Sequence, residues 1–192
     1  MDEIKKIYAE KKSDIKSRLE DFKNLSEEQV FREFQFCLLT PQSNAQRCWS
    51  AVLELSKLKN PKLSEITEIL SKRTRFHNTK AKRILNSRET FSRIMPFLSL
   101  PAKEARDELA KEVNGYGLKE AAHFLRNIGL SNNEVAILDR HILRHLNEEK
   151  IKSQKHYLEI EKKFIEYAKS LGIPLDELDL LWWSQENGEI FK

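Results

Sequence analysis

Apolar residues recur along this chain at three- and four-residue intervals almost from end to end, the spacing of helices buried on one face. Ile4, Ile7, Ile15, Leu19 and Phe22 line one side of a first helix. "SEEQ" at Ser26–Gln29 has the form of a capping box, in which serine and glutamine each satisfy a backbone amide of the other. Val30, Phe31, Phe34, Cys37 and Leu38 follow as the buried face of a second helix. That helix must stop before Pro41, because the residue preceding a proline is pushed out of helical geometry. "TPQSN" then reads as a turn, and Ala45, Cys48, Trp49, Val52 and Leu53 mark the next helix. Short helices are predicted at 63–72 and 78–87, and another at 102–113 just after Pro101. A long helix is predicted over Ser153–Leu171, closed by Gly172, and a last one from Leu175 to Glu186, closed near Gly188. There is no alternating strand pattern of useful length, no long-period repeat and no low-complexity linker. The fold class is all-α.

The glycines interrupt this pattern in one place. Three of the five lie in "EVNGYGLKEAAHFLRNIG", Glu112 to Gly129. A helix ending near Val113, the turn "NGYG" and a helix from Leu118 make a helix–hairpin–helix. Glycine permits positive φ and close approach of another molecule. The amides around such a turn, together with the N-terminus of the next helix, point outward as an anion site. A DNA backbone phosphate is such an anion, and contact with it positions a protein without reading sequence. A single glycine would suit a plain helix–turn–helix cap equally well; Gly115 and Gly117 followed at once by Lys119 favour the hairpin. In the helix after the turn, Leu118, Ala121, Ala122 and Leu125 are spaced for burial, while Lys119, His123 and Arg126 share a polar face. A lysine in a first turn is ordinarily a solvated residue, mildly disfavoured by the helix dipole. The same field favours the uncharged amine that a nucleophile needs.

Twenty residues beyond Lys119, in "VAILDRHILRHL", the apolar run Val135–Leu138 meets Asp139 at what reads as a helix start. An aspartate there can simply be an N-cap. It also stays ionised, and a lysine paired with a carboxylate beside a phosphate-gripping turn can open a sugar–base bond. The free amine attacks the anomeric carbon, and the carboxylate accepts the amine proton or stabilises positive charge on the sugar. His141 and His145 read as surface or capping residues, not metal ligands.

Charge and composition narrow the partners. The formal net charge is +4, which permits a polyanionic partner without requiring one. Hydrophobic content of 40% and charged content of 33% describe a globular chain with a full core. No apolar run is long enough to span a bilayer, and "MDEIKKIYAEKKSD" has no signal-peptide core, so a cytoplasmic location is expected. Cys37 and Cys48 are too few for a four-thiolate site, which excludes an iron–sulfur cluster or structural zinc built from cysteine. Both are expected as buried reduced thiols.

"NGYGLKEAAHFLRNIG…VAILDRHIL" resembles the helix–hairpin–helix DNA glycosylase superfamily. Within it, "KEAAHFLRN" and "DRHILR" are similar to the compact archaeal-type 8-oxoguanine DNA glycosylase/AP lyases, also found in some bacteria. The resemblance extends to "FCLLTPQSNA", "RFH" at Arg75–His77 and "LDLLWW…K" at the end of the chain. It implies a two-lobed helical fold: a helical barrel over 28–131 containing the hairpin, a second lobe from 1–27 plus 132–192, and the active site in the cleft between them. It implies Lys119 as Schiff-base nucleophile and Asp139 as its activator. Phe76 and Trp183 match the aromatics that sandwich the extruded purine; without the resemblance both would read as core residues, and Trp182 is the better candidate for packing. Asp179 reads either as a helix N-terminal charge or as a ligand of the purine edge. The family ends on a lysine nine residues after the tryptophan, as Lys192 follows Trp183, so the chain is expected to be complete there and its terminal carboxylate to bind the purine. Gly115, Tyr116 and Gly117 are expected at the DNA backbone, and Gln42 in the loop that enters the vacated gap. The family carries an asparagine in that loop, in "LTAN"; "LTPQ" departs from it at the position that bears on opposing-base preference. Glutamine there is common in iron–sulfur pyrimidine glycosylases, whose cysteines this chain lacks. The implied partner is double-stranded DNA containing oxidised guanine, acted on by a monomer without a membrane. No cofactor is expected, although the hairpin carbonyls could hold a monovalent cation. Two rival readings are a glycosylase for oxidised pyrimidines and a non-catalytic DNA-binding module.

Overall fold

The structure, a computed structural model, describes residues 2–192, with the side chains of Asp2 and Asn187 left aside. The described residues form α1 (Asp2–Lys23), α2 (Glu27–Leu39), α3 (Ala45–Leu55), α4 (Leu63–Ser71), α5 (His77–Leu85) and α6 (Ser87–Ile94). A 3-10 turn (Met95–Ser99) leads into α7 (Ala102–Glu112), α8 (Leu118–Asn127), α9 (Arg140–His145), α10 (Gln154–Leu171) and α11 (Leu175–Asn187). No strand occurs among the described residues, as the helical periodicity requires.

Local chemistry explains most boundaries. Ser26 Oγ accepts from Gln29 N at 3.4 Å while Gln29 Oε1 accepts from Ser26 N at 2.8 Å, the expected capping box of α2. Asn44 caps α3, accepting from Arg47 N at 3.0 Å. Gly172 and Gly188, at φ +70° and +81°, end α10 and α11 in the left-handed conformation. One element escapes the sequence pattern. The helix predicted at 78–87 ends at Leu85, Asn86 breaks its geometry, and α6 follows at once. Its buried face is only Ser87, Phe91 and Ile94, too sparse a stripe to mark a separate helix.

The chain divides into two compact units: Leu25–Phe124, and the residues through Asn24 together with Leu125–Lys192. The core of the Leu25–Phe124 unit is aromatic. Phe34, fully buried, meets Phe91 at 5.6 Å, Tyr116 at 5.5 Å and Phe124 at 5.8 Å between ring centroids. Tyr116 Oη donates to Phe34 O at 2.9 Å, so the middle residue of the hairpin is bolted into α2. Deleting a buried aromatic of this kind costs about 3–5 kcal/mol, and here it would loosen the hairpin as well. In the other unit Trp182 is 2% exposed and lies between the rings of His145 at 4.4 Å and Phe164 at 5.1 Å, both nearly parallel to it. It is the packing member of the tryptophan pair. Cys37 and Cys48 are buried cysteines outside any disulfide, one in each of α2 and α3. No helix is long and apolar enough to cross a membrane among the described residues.

Candidate DNA-lesion site

The hairpin is built from α7, the Asn114–Gly117 turn and α8. Val113 closes α7, its amide bonded to Leu109 O at 3.0 Å, and Tyr116 N returns to Val113 O at 3.0 Å. Gly115 sits at φ +108°, which only glycine adopts without strain. Gly117 O accepts from Ala121 N at 3.0 Å, which makes Gly117 the N-cap of α8 and Lys119 its second helical residue.

Two of the turn's amides do not point outward as expected. Tyr116 N is spent inside the turn, and Gly117 N donates to Glu120 Oε2 at 3.1 Å. Tyr116 N and Gly117 N are therefore not available to an anion, which leaves the first amides of α8 among those of the turn that could meet one. Glu120 also holds the neighbouring amine: its Oε1 lies 2.8 Å from Lys119 Nζ. This carboxylate, 9% exposed, thus ties the hairpin to the lysine and relieves the dipole cost of a cation at a helix start. Glycine at the cap with glutamate three residues on is half of a capping box, and that spacing in "GLKE" could have flagged Glu120 from sequence.

The polar face predicted for α8 is corrected by its last turn. Lys119 is partly exposed and His123 half-buried against Phe36, but Arg126 is only 2% exposed. Helical phase puts these three on one side; depth decides the rest, because the C-terminal turn of α8 runs into the interior. There Arg126 Nη2 meets Asp179 Oδ2 at 3.3 Å, its guanidinium 5.6 Å from the centre of the Phe22 ring.

Asp139 does cap α9. Both cap bonds fall on one oxygen: Oδ1 accepts from His141 N at 2.8 Å and Ile142 N at 2.9 Å. Oδ2 takes no hydrogen bond among the described residues, so one carboxylate can both hold a helix and face a reactant. Buried Val135–Leu138 and the N-cap fix its position. Asp179 lies in the same unit, and burial pushes its carboxyl up to about 7. The Arg126 charge opposes that rise, whereas the Asp139 and Asp176 carboxylates reinforce it. Trp183 is half-buried and stacks on Phe191 at 5.9 Å. The residues after α11 are anchored: Arg18 Nε donates to Phe191 O at 2.6 Å, and Lys192, 4% exposed, places Nζ 5.8 Å from the centre of the Phe22 ring.

Phe76 and Gln42 belong to the hairpin's unit. Phe76 precedes α5 at φ +56° and leaves 56% of its surface exposed, an unusual state for a large apolar residue and unlike a core aromatic. Gln42, also exposed, sits at φ +54° in the turn predicted before α3. The structure thus gathers Gln42, Phe76, Gly115, Tyr116, Gly117 and Lys119 in one unit and Asp139, Asp179, Trp183 and Lys192 in the other. Among the described residues no three His, Cys, Asp or Glu side chains converge as a metal site. His141 Nδ1 instead faces Glu186 Oε2 at 3.2 Å.

A glycine hairpin that delivers a lysine at the start of a helix, in an all-helical chain, is a helix–hairpin–helix motif carrying a candidate nucleophile. The family model described as 8-oxoguanine DNA glycosylase matches residues 15–173, and the chain belongs to that family. It is 42% identical to the 8-oxoguanine DNA glycosylase/AP lyase of Fusobacterium nucleatum, over 99% of this chain and 96% of that one. It is 35% identical to the enzyme of the same description from Methanocaldococcus jannaschii, over 98% of this chain and 99% of that one. Among solved structures, the 8-oxoguanine DNA glycosylase of Thermotoga maritima superposes with a TM-score of 0.89 at 31% identity, covering 100% of this chain and 97% of that one. The M. jannaschii 8-oxoguanine glycosylase/lyase in complex with a 15mer DNA containing 8-oxoguanine superposes with a TM-score of 0.85 at 34% identity, covering 100% of each.

Proposed function

We propose that this protein excises 8-oxoguanine from double-stranded DNA and then cleaves the strand at the resulting abasic site, with Lys119 as the nucleophile of both steps. The observation that carries the reading is the placement of Lys119, partly exposed, directly after a glycine hairpin with a positive-φ residue in a chain of this family. The uncharged Lys119 amine attacks C1′ of the damaged nucleotide. The N-glycosidic bond breaks with its electron pair going to the base, which takes up a proton. Loss of a proton from nitrogen and opening of the sugar ring leave an imine at C1′. Removal of a C2′ proton then expels the 3′ phosphate by β-elimination, and water hydrolyses the imine to release the enzyme. The Asp139 carboxylate accepts the amine proton or stabilises positive charge at C1′, using the oxygen that the helix cap leaves open.

Phe76 and Trp183 each offer a ring face to the extruded base, and Asp179 and Lys192 offer polar groups to its edge. 8-Oxoguanine differs from guanine in a C8 carbonyl and a hydrogen on N7, so a hydrogen-bond acceptor facing N7 separates the two. An acceptor left unpaired against guanine costs about 1–3 kcal/mol, or roughly tenfold to hundredfold. Gly115, Tyr116 and Gly117 shape the grip on the backbone, and Gln42 fills the gap left in the stack. The chemistry requires no cofactor; a monovalent cation at the hairpin carbonyls would serve binding only. DNA as substrate and two reduced, buried cysteines suit a cytoplasmic protein, read as a monomer.

The test is borohydride trapping on a duplex carrying one 8-oxoguanine. Wild type should give a covalent adduct and Lys119→Arg none, because a guanidinium stays protonated and forms no imine. An adduct of undiminished yield with Lys119→Arg would remove Lys119 from the chemistry.

A further inference from the structure

Lys80 is a charged residue that the reaction does not use. It lies at the end of the first turn of α5 and is 1% exposed, with no carboxylate paired to it among the described residues. Its ammonium donates to Leu39 O at 2.7 Å, Pro41 O at 2.8 Å and Ser43 Oγ at 2.9 Å. All three donors of the group are committed. Leu39 O is one of the carbonyls that the end of α2 leaves without a helical partner. The other two acceptors flank Gln42.

That turn is closed by Ser43 N donating to Thr40 O at 3.0 Å, with Pro41 and then Gln42, at φ +54°, in its central positions. Proline followed by a left-handed residue is the type II pattern, which prefers glycine or asparagine second. A glutamine is therefore held there against its own preference by the surroundings. Ser43 Oγ does a second job: it accepts from Arg75 N at 2.9 Å, across 32 residues of sequence. The next residue is Phe76, likewise left-handed and the most exposed large apolar side chain described. One buried ammonium thus anchors the Gln42 turn directly and the Phe76 turn through a single hydroxyl. Burial, with the nearby Arg83, Lys119 and Arg75 charges, brings its pKa down to about 8, opposed by Cys48. An apolar side chain would fill the same space without that desolvation; what the ammonium adds is three directional bonds.

We propose that Lys80 is a positioning residue for lesion extrusion, holding the Gln42 and Phe76 turns in one fixed relation so that filling the vacated gap and stacking the extruded base occur together. The inference rests on the excision reading above and extends it to a residue that touches neither DNA nor the reacting atoms.

Lys80→Met keeps the length of the side chain and removes the three bonds. Single-turnover rates are measured for wild type and variant on two duplexes, one carrying 8-oxoguanine and one a pre-formed abasic site, well below the melting temperature of either protein. A duplex with 2-aminopurine beside the lesion reports unstacking in a Lys119→Arg background. The ratio of base excision to abasic-site cleavage should fall at least tenfold in Lys80→Met, with a smaller fluorescence rise on binding. A purely structural role would lower both rates together and leave the ratio and the fluorescence unchanged, and that result would overturn the proposal. Ser43→Ala removes the hydroxyl that joins Lys80 to Arg75 and leaves the Lys80 bonds to Leu39 O and Pro41 O; it should move the ratio in the same direction by about threefold, and it decides the matter if Lys80→Met does not fold. Wild type inactive on both duplexes would instead defeat the excision reading, and this inference with it.

Discussion

Gly115 and Gly117 look equivalent in "GYG", but their surroundings predict different consequences for alanine. Gly115 has φ +108°, and a Cβ built there would lie 2.7 Å from Cζ and Nη1 of Arg83 and 2.8 Å from its Cδ. Gly117 has no left-handed φ, and its Cβ would meet only Glu120 Oε2, at 3.3 Å. The torsional cost of a non-glycine residue in such a region is about 1–3 kcal/mol. Arg83 is long and can swing aside, so torsion dominates and a total near 2 kcal/mol follows for Gly115→Ala. In a chain of this size that corresponds to a loss of roughly 4–8 °C in melting temperature. Gly117→Ala should cost about 0.5–1 kcal/mol, the difference between glycine and alanine as an N-cap.

Binding should follow the same order. A backbone amide bonded to a phosphate is a charge-assisted contact of about 1.5–3 kcal/mol, so displacing one weakens binding roughly tenfold or more. A contact made by neutral amides does not enter the slope of log affinity against log salt, which counts the lysines and arginines at phosphates, so that slope should stay unchanged while the whole line drops. The assay is fluorescence anisotropy over a salt series in a Lys119→Arg background, with damaged and undamaged duplexes, beside thermal melts. Gly115→Ala should lose affinity for both duplexes by the same factor and Gly117→Ala should lose less. Wild-type melting and affinity for Gly115→Ala would refute the claim that this backbone geometry is required. Loss confined to the damaged duplex would show that the hairpin reads the lesion, not the backbone.

Two other predictions follow from the carboxylates. Asp139→Asn should retain the α9 cap, since an amide oxygen can take the bonds now made by Oδ1, and should melt within a few degrees of wild type while excision falls about 10²–10⁴-fold; matched losses of stability and activity would leave Asp139 as a cap alone. Asp179, raised to about 7 in the folded chain from 3.8, contributes stability that is complete below pH 4 and lost as pH rises through 7, because between those values the folded state holds a proton the unfolded state has released. The melting temperature should therefore decline less steeply from pH 5 to pH 8 in Asp179→Asn than in wild type, and equal slopes in calorimetry would contradict the burial argument.

Periodicity and capping chemistry were legible in the chain because they are local. The capping box at Ser26, the stop before Pro41, the Asp139 cap and the Gly172 ending each depend on residues within four positions of one another. Phe76 and Phe91 illustrate the limit: both are phenylalanines with a polar residue on either side, yet one is 56% exposed and the other 2%. Only the positive φ of Phe76 and the packing of Phe91 against Phe31 and Phe34 separate them, and neither is written in their immediate sequence. The buried charges were less legible still. Arg126 shares its helical phase with Lys119, and nothing nearer than Asp179 indicates that its guanidinium lies inside. Lys80 sits in "HNTKAKRIL", a mean composition that reads as a solvated helix, and its three acceptors lie 37 to 41 residues away. A lysine can be recognised as internal only when the groups that take its protons are known, and those are fixed by the fold of a distant turn. Local rules therefore find the residues that make elements. The residues that hold two elements in register, such as Lys80 and Glu120, emerge once side chains can be followed to their partners.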